Sequence, residues 1–205
     1  MQRVVRIAGM VLAIVAAQSG VQAQAAPAGS LAVTADSKVW VEGGSTVRSW
    51  KCAAKTIDAA LQTGPEGPVA NLDRLVATAN VTVKTAELEC GNNTMNEHMR
   101  KALKQNEHPT IAFKLASYTL DPSGALTGTL QIAGQELPIQ FPATITDDGT
   151  TIRVVGNKAI NMKEWGVKPP SLMLGTMKVR DKVTVHFDVA VRPLIDPLGI
   201  LSSIQ

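Results

Sequence analysis

The sequence predicts an all-β fold: an antiparallel barrel of about eight strands with one short helix inserted. Three observations carry the prediction. Apolar and polar residues alternate strictly through most of the chain. Short turn-like connectors join each alternating run to the next, as in a meander. A single stretch departs from period two and carries its apolar residues at helical spacing.

The chain opens with Arg3 and Arg6, the apolar run IAGMVLAIVAAQSG, and small residues at Val21, Ala23 and Ala25. This is the pattern of a secretory signal peptide, with cleavage expected after Ala23 or Ala25. The run falls short of the roughly 20 apolar residues that span a bilayer, so an integral membrane protein is not expected. Residues 1–25 are read as the signal segment, 26–36 as a flexible lead-in, 37–193 as the barrel domain and 194–205 as a tail. The mature protein is expected to be periplasmic or secreted.

The first strands are KVWVEG and TVRSWKCAAK, on either side of Gly43-Gly44, with Trp40 and Trp50 read as structural. NVTVKTAELE follows the loop QTGPEGP. TIAFKLASYTL then puts Ile111, Phe113 and Leu115 on one face, and ALTGTLQIAG does the same with Leu126, Leu130 and Ile132. ELPIQFPATITDDG contributes Leu137, Ile139, Phe141, Ala143 and Ile145, and TIRVVGNKAINM contributes Ile152, Val154, Ile160 and Met162. KVTVHFDVAV closes the series with Val183, Val185, Phe187, Val189 and Val191. Connectors such as Asp121-Pro122-Ser123-Gly124 and Asp147-Asp148-Gly149 are hairpin turns, so the sheet is antiparallel. One apolar face on so many strands calls for a barrel or a sandwich, and the meander order favours closure.

Charge and composition exclude one class. The formal net charge of +3 falls close to neutral once Arg3 and Arg6 are removed, and aromatics are only 3% of residues. Nucleic-acid binding needs a basic footprint and stacking surfaces, so no nucleic-acid partner is expected. Two cysteines, Cys52 and Cys90, both follow the signal segment. In an oxidising compartment such a pair is expected to form a disulfide worth roughly 3–4 kcal/mol in the chain-entropy estimate. Free thiols or half a metal site are the competing reading.

The helical stretch NNTMNEHMRKALKQ offers Asn92, Asn93 and Thr94 as caps and carries Met95, Met99 and Leu103 on one stripe. Glu97, Arg100, Lys101 and Lys104 are read as its solvent face. NEH recurs ten residues on, raising the question of a metal site at His98 and His108. On one continuous helix the two would lie about 15 Å apart along the axis and differ by roughly 80° around it. Pro109 also disfavours helix at His108. No metal and no cofactor are expected. The sequence lacks GxSxG, HExxH and Gly-rich phosphate-loop patterns, so no catalytic residue and no enzyme are expected. His186, on the polar side of its strand, reads as a surface histidine.

Four stretches in order resemble the YceI-like family of exported lipid- or polyisoprenoid-binding proteins: VWVEGGSTVRSWKC, MNEHMRKALKQNEHPTIAFKL, LTGTLQIAGQELPIQF and INMKEWGVKPPSLMLGTMKVRDKVTVHFDV. The cysteine pair and the longer GVKPPSLML loop depart from the family pattern. The resemblance implies a lipocalin-like barrel with an apolar cavity for a long isoprenoid or fatty-acyl chain. The candidate lipid-binding residues are Met99, Ile111, Phe113, Leu115, Leu130, Ile132, Ile139, Phe141, Trp165, Met173, Met177, Val185 and Phe187. The loop GVKPPSLMLGTM, with Met95 and Met99, is the candidate entrance, its methionines suited to adaptable apolar contact. The function expected is an exported carrier that performs no chemistry. Period-two patterning alone also fits a barrel filled by its own side chains, acting as an envelope stress or protein-interaction module.

Overall fold

The computed structural model describes residues 30–62, 76, 78–120, 124–172 and 176–193. Residues 1–25, read above as a signal segment, Met173 and the tail from residue 194 lie outside these. The strands are β1 (Ser30–Val33), β2 (Lys38–Ser45), β3 (Ser49–Ala54), β4 (Asp58–Gln62), β5 (Thr78–Lys84) and β6 (Leu88–Glu89). After helix α1 (Asn93–Ala102) come β7 (Thr110–Thr119), β8 (Ala125–Ile132), β9 (Gln135–Asp147), β10 (Ile152–Asn161), β11 (Ser171–Leu172) and β12 (Met177–Pro193).

The pairing order β1-β4-β5-β7-β8-β9-β10-β12 returns to β1, because β1 also pairs with β12. An eight-stranded antiparallel barrel results. β2, β3 and β6 extend this ring at one end, running on from β12. β1 and β2 are thus two halves of one bent strand, and so are β3 and β4, and β5 and β6. Of these, only β5 and β6 read as a single run in the sequence, NVTVKTAELE.

Two of the bends show how their backbone groups are satisfied. Between β1 and β2, the Ser37 hydroxyl accepts from the Ala190 amide at 2.9 Å and donates to the Ala190 carbonyl at 3.2 Å. Between β5 and β6, a 3-10 turn at Thr85–Glu87 breaks the strand. There the fully buried Thr85 donates its amide to the Pro109 carbonyl at 2.8 Å. β1 corrects the reading of residues 26–36 as a flexible lead-in. Ser30–Val33 pairs on both sides and closes the barrel.

Helix α1 covers the extended end. The Asn92 side chain caps it by accepting from the Met95 amide at 2.9 Å, which satisfies one of the orphan first-turn donors. The helix stops well before the second NEH, with Lys104 in the left-handed region at φ 53°. The Gln105 amide reaches the Arg100 carbonyl and the Lys104 amide reaches Lys101, a Schellman closure. Arg100 does not belong to the solvent face assigned to it. It donates to the Ala86 carbonyl at 2.6 Å and approaches Glu89 at 3.7 Å, tying the helix to the β5–β6 bend.

Candidate binding cavity

Inward residues do not meet at the barrel axis. Among the described residues they line two apolar chambers, one of about 420 Å³ and one of about 190 Å³. The first lies under α1 and is walled by Val41, Trp50, Met95, Met99, Ile132, Met162, Trp165, Met177 and Val183, among others. The second lies towards the β1–β4 end, among Leu61, Ala79, Phe113, Leu115, Phe141, Ile152, Phe187 and Val191. Val39, Val83, Ile111 and Val185 line both, so the chambers share a wall of four aliphatic side chains.

Barrel interiors normally fill where strands carry bulky residues on every inward position. Here the large rings are held against the wall. Phe187 lies over Gly156 and Phe113 over Gly128, each a position with no side chain to push the ring inward. Phe141 joins them edge to face, with ring centroids 5.6 Å from Phe113 and 5.5 Å from Phe187. The three rings form a chain along one side of the second chamber.

Polar groups gather at one end of the first chamber. Ser45 and Arg48 of the β2–β3 turn, and Asn92, Thr94 and His98 at the start of α1, complete its lining. Arg48 is exposed and its guanidinium donates to the Met95 sulfur at 3.6 Å. Among the liners of the second chamber only Tyr118 carries a side-chain polar group.

The helix over the first chamber is pinned by the disulfide Cys52–Cys90, which also forms part of the wall. Asn96, 3% exposed, accepts the Cys90 amide and donates to Glu89 at 2.7 Å. That hydrogen bond, followed by Lys55 and Arg100, holds the Glu89 carboxyl below the usual carboxylate range.

The structure distributes the sequence candidates unevenly. Met99, Ile132, Trp165 and Met177 line the first chamber, and Phe113, Leu115, Phe141 and Phe187 the second. Ile111 and Val185 line both. Leu130 and Ile139 are not among the lining residues of either chamber. They belong to the buried cluster that also holds Trp165 and Val167, and the Trp165 indole donates to the Leu130 carbonyl at 3.0 Å. Met173 lies outside the described residues.

The two tryptophans read as structural both border the first chamber, but with different partners. The Trp40 ring stacks on His186 with centroids 4.9 Å apart and its indole N–H donates to Glu42 at 2.9 Å. His186 is therefore half-buried under an indole, not a plain surface histidine. His98 lines the first chamber while the His108 ring packs against Gly134 in the β8–β9 turn. Among the described residues no group of three or more His, Cys, Asp or Glu comes together. Among them, too, no helix is long and apolar enough to cross a membrane.

Comparison with known families gives one decisive match, a YceI-like domain over residues 29–191. The chain belongs to the YceI-like family. Solved structures agree on the fold of this YceI-like protein. BcnA of Burkholderia cenocepacia superposes with a TM-score of 0.64 at 20% identity, over 78% of this chain and 99% of BcnA. A polyisoprenoid binding domain from Saccharophagus degradans, implicated in plant cell wall breakdown, gives 0.60 at 14% identity, over 81% of this chain and 98% of its own. The YceI protein of Campylobacter jejuni gives 0.52 at 22% identity, covering 68% and 82% respectively. Comparison with curated proteins found no match.

Proposed function

We propose that this YceI-like protein is an exported carrier that holds a long apolar chain, polyisoprenoid or fatty-acyl, inside its barrel without chemistry. The observation that carries the reading is the pair of adjoining apolar chambers with a common wall at Val39, Val83, Ile111 and Val185. A chain lying in them leaves water at about 0.8 kcal/mol per buried methylene. Some ten buried methylenes give a gross gain of about 8 kcal/mol, from which ordering costs are subtracted. Met95, Met99 and Met177, which line the same chamber from helix and strand, provide an adaptable cover.

Support comes from the family and from the polyisoprenoid-binding description of the S. degradans relative. Export rests on the signal pattern of residues 1–25 and agrees with a disulfide, which persists in oxidising compartments. A filled barrel serving only as an interaction module is disfavoured by the two apolar chambers.

Native mass spectrometry of the exported protein tests the proposal. The expected result is a co-purified apolar molecule released by organic solvent. A protein that carries none, and takes up neither polyprenols nor fatty acids after solvent extraction, overturns it.

A further inference from the structure

Gly43 on β2 is the direct register partner of Trp50 on β3, and Trp50 lines the first chamber. A β-carbon built on Gly43 would stand 2.3, 2.6 and 2.9 Å from three carbons of the Trp50 indole. The ring can lie on the wall only because Gly43 has no side chain. The same arrangement recurs at Gly128 and Gly156, but there a β-carbon would also meet the backbone oxygens of Lys114 and Pro142. At Gly43 the three nearest atoms all belong to the ring.

Among the described residues the buried Trp50 Nε1–H has no hydrogen-bond partner. An unpaired buried donor is unfavourable, and a phenylalanine in the same place would avoid it. A locally unfavourable residue, accommodated by a glycine on the facing strand, points to a role in shaping the space beside it.

We propose that the Trp50–Gly43 pair sets the bore of the first chamber, and so decides how readily a methyl-branched chain is accepted relative to an unbranched one. This rests on the hydrocarbon-carrier reading. Gly43→Ala lifts the indole off the wall and into the lumen. Methyl branches widen a chain at regular intervals, so they lose room before a straight chain does.

The test uses the lipid-extracted full-length mature protein and two probes: geranylgeraniol and the unbranched alcohol of equal carbon count. Affinities are compared for wild type, Gly43→Ala, Gly44→Ala, Trp50→Phe and the Gly43→Ala, Trp50→Phe double variant, alongside thermal melts. The expected result for Gly43→Ala is a loss on the order of tenfold for the branched alcohol relative to the straight one. Gly44→Ala, where the nearest atom to a β-carbon is an Arg180 side-chain carbon at 3.6 Å, leaves the ratio unchanged. Adding Trp50→Phe to Gly43→Ala restores it. An unchanged ratio in a folded Gly43→Ala protein overturns the proposal. Should that variant not fold, Trp50→Phe alone must move the ratio towards the branched alcohol, and failure to do so overturns it equally. Wild type that binds neither alcohol contradicts the carrier reading itself, which is a separate outcome.

Discussion

The side-chain oxygen of Asn96 accepts the Cys90 amide at 2.7 Å, so the first turn of α1 hangs directly on a disulfide cysteine. The same side chain donates to Glu89 at 2.7 Å. Asn96→Ala therefore leaves a buried amide unpaired and frees one side of the helix. A loss of about 1–3 kcal/mol is expected by urea unfolding. Hydrogen exchange should show α1 opening more readily than the barrel strands. Uniform loss of protection across the barrel would contradict a local tether.

Cys52 and Cys90 are separated by 38 residues in sequence. The bond removes loop-closure entropy from the unfolded chain. Replacing both by alanine is expected to cost about 3–4 kcal/mol in that estimate. A reduced or double-alanine protein that unfolds at the wild-type denaturant midpoint would show that the bridge adds nothing.

Glu89 makes a pH-dependent contribution. Its carboxyl is held below the usual range first by the Asn96 hydrogen bond, then by Lys55 and Arg100. The folded state thus binds the proton more weakly than the unfolded state. The stabilisation is complete above the unfolded carboxylate range and disappears as pH falls through the lower, folded value. Unfolding at stepped pH should show wild type exceeding Glu89→Gln near neutrality, the gap closing on acidification. A gap that stays constant down to strongly acid pH would contradict this assignment.

Phe141, 4% exposed, touches both Phe113 and Phe187 edge to face and so links the aromatic side of the second chamber. Phe141→Ala is expected to cost about 3–5 kcal/mol. An unfolding midpoint within the error of wild type would mean the ring is not packed as the structure has it.

Much of this was legible in the residues, and the failures have definite causes. Alternation through Ile111, Phe113 and Leu115, or Val183, Val185 and Phe187, is a direct record of one buried face, so the later strands were read correctly. The early strands alternate just as well, but alternation is blind to bends. The break at Ser37 depends on a hydroxyl meeting Ala190, a partner more than 150 residues away in sequence. β1 is too short to declare itself and is recognisable only by its pairing with β12 and β4.

Inside the barrel, parity told which residues face inward but not which face empty space. Leu130 and Ile139 have the right parity, yet they belong to a buried cluster with Trp165 and Val167 and line neither chamber. Trp50 was readable only together with Gly43, since a ring lies flat where the facing strand lacks a side chain. Asn96 gave no signal at all. A polar residue next to Met95 on a helix reads as solvated until the disulfide loop is placed against it.

Fluorescence quenching by a brominated acyl chain tests the central claim most directly. Trp40, Trp50 and Trp165 all border the first chamber, and the Trp40 ring is the one stacked on His186. A chain held within the barrel should quench saturably, and the quenching should fall sharply when Trp50 and Trp165 are both replaced by phenylalanine. Quenching that is unchanged in that double variant, or none up to the solubility limit of the probe, would contradict a hydrocarbon-holding interior.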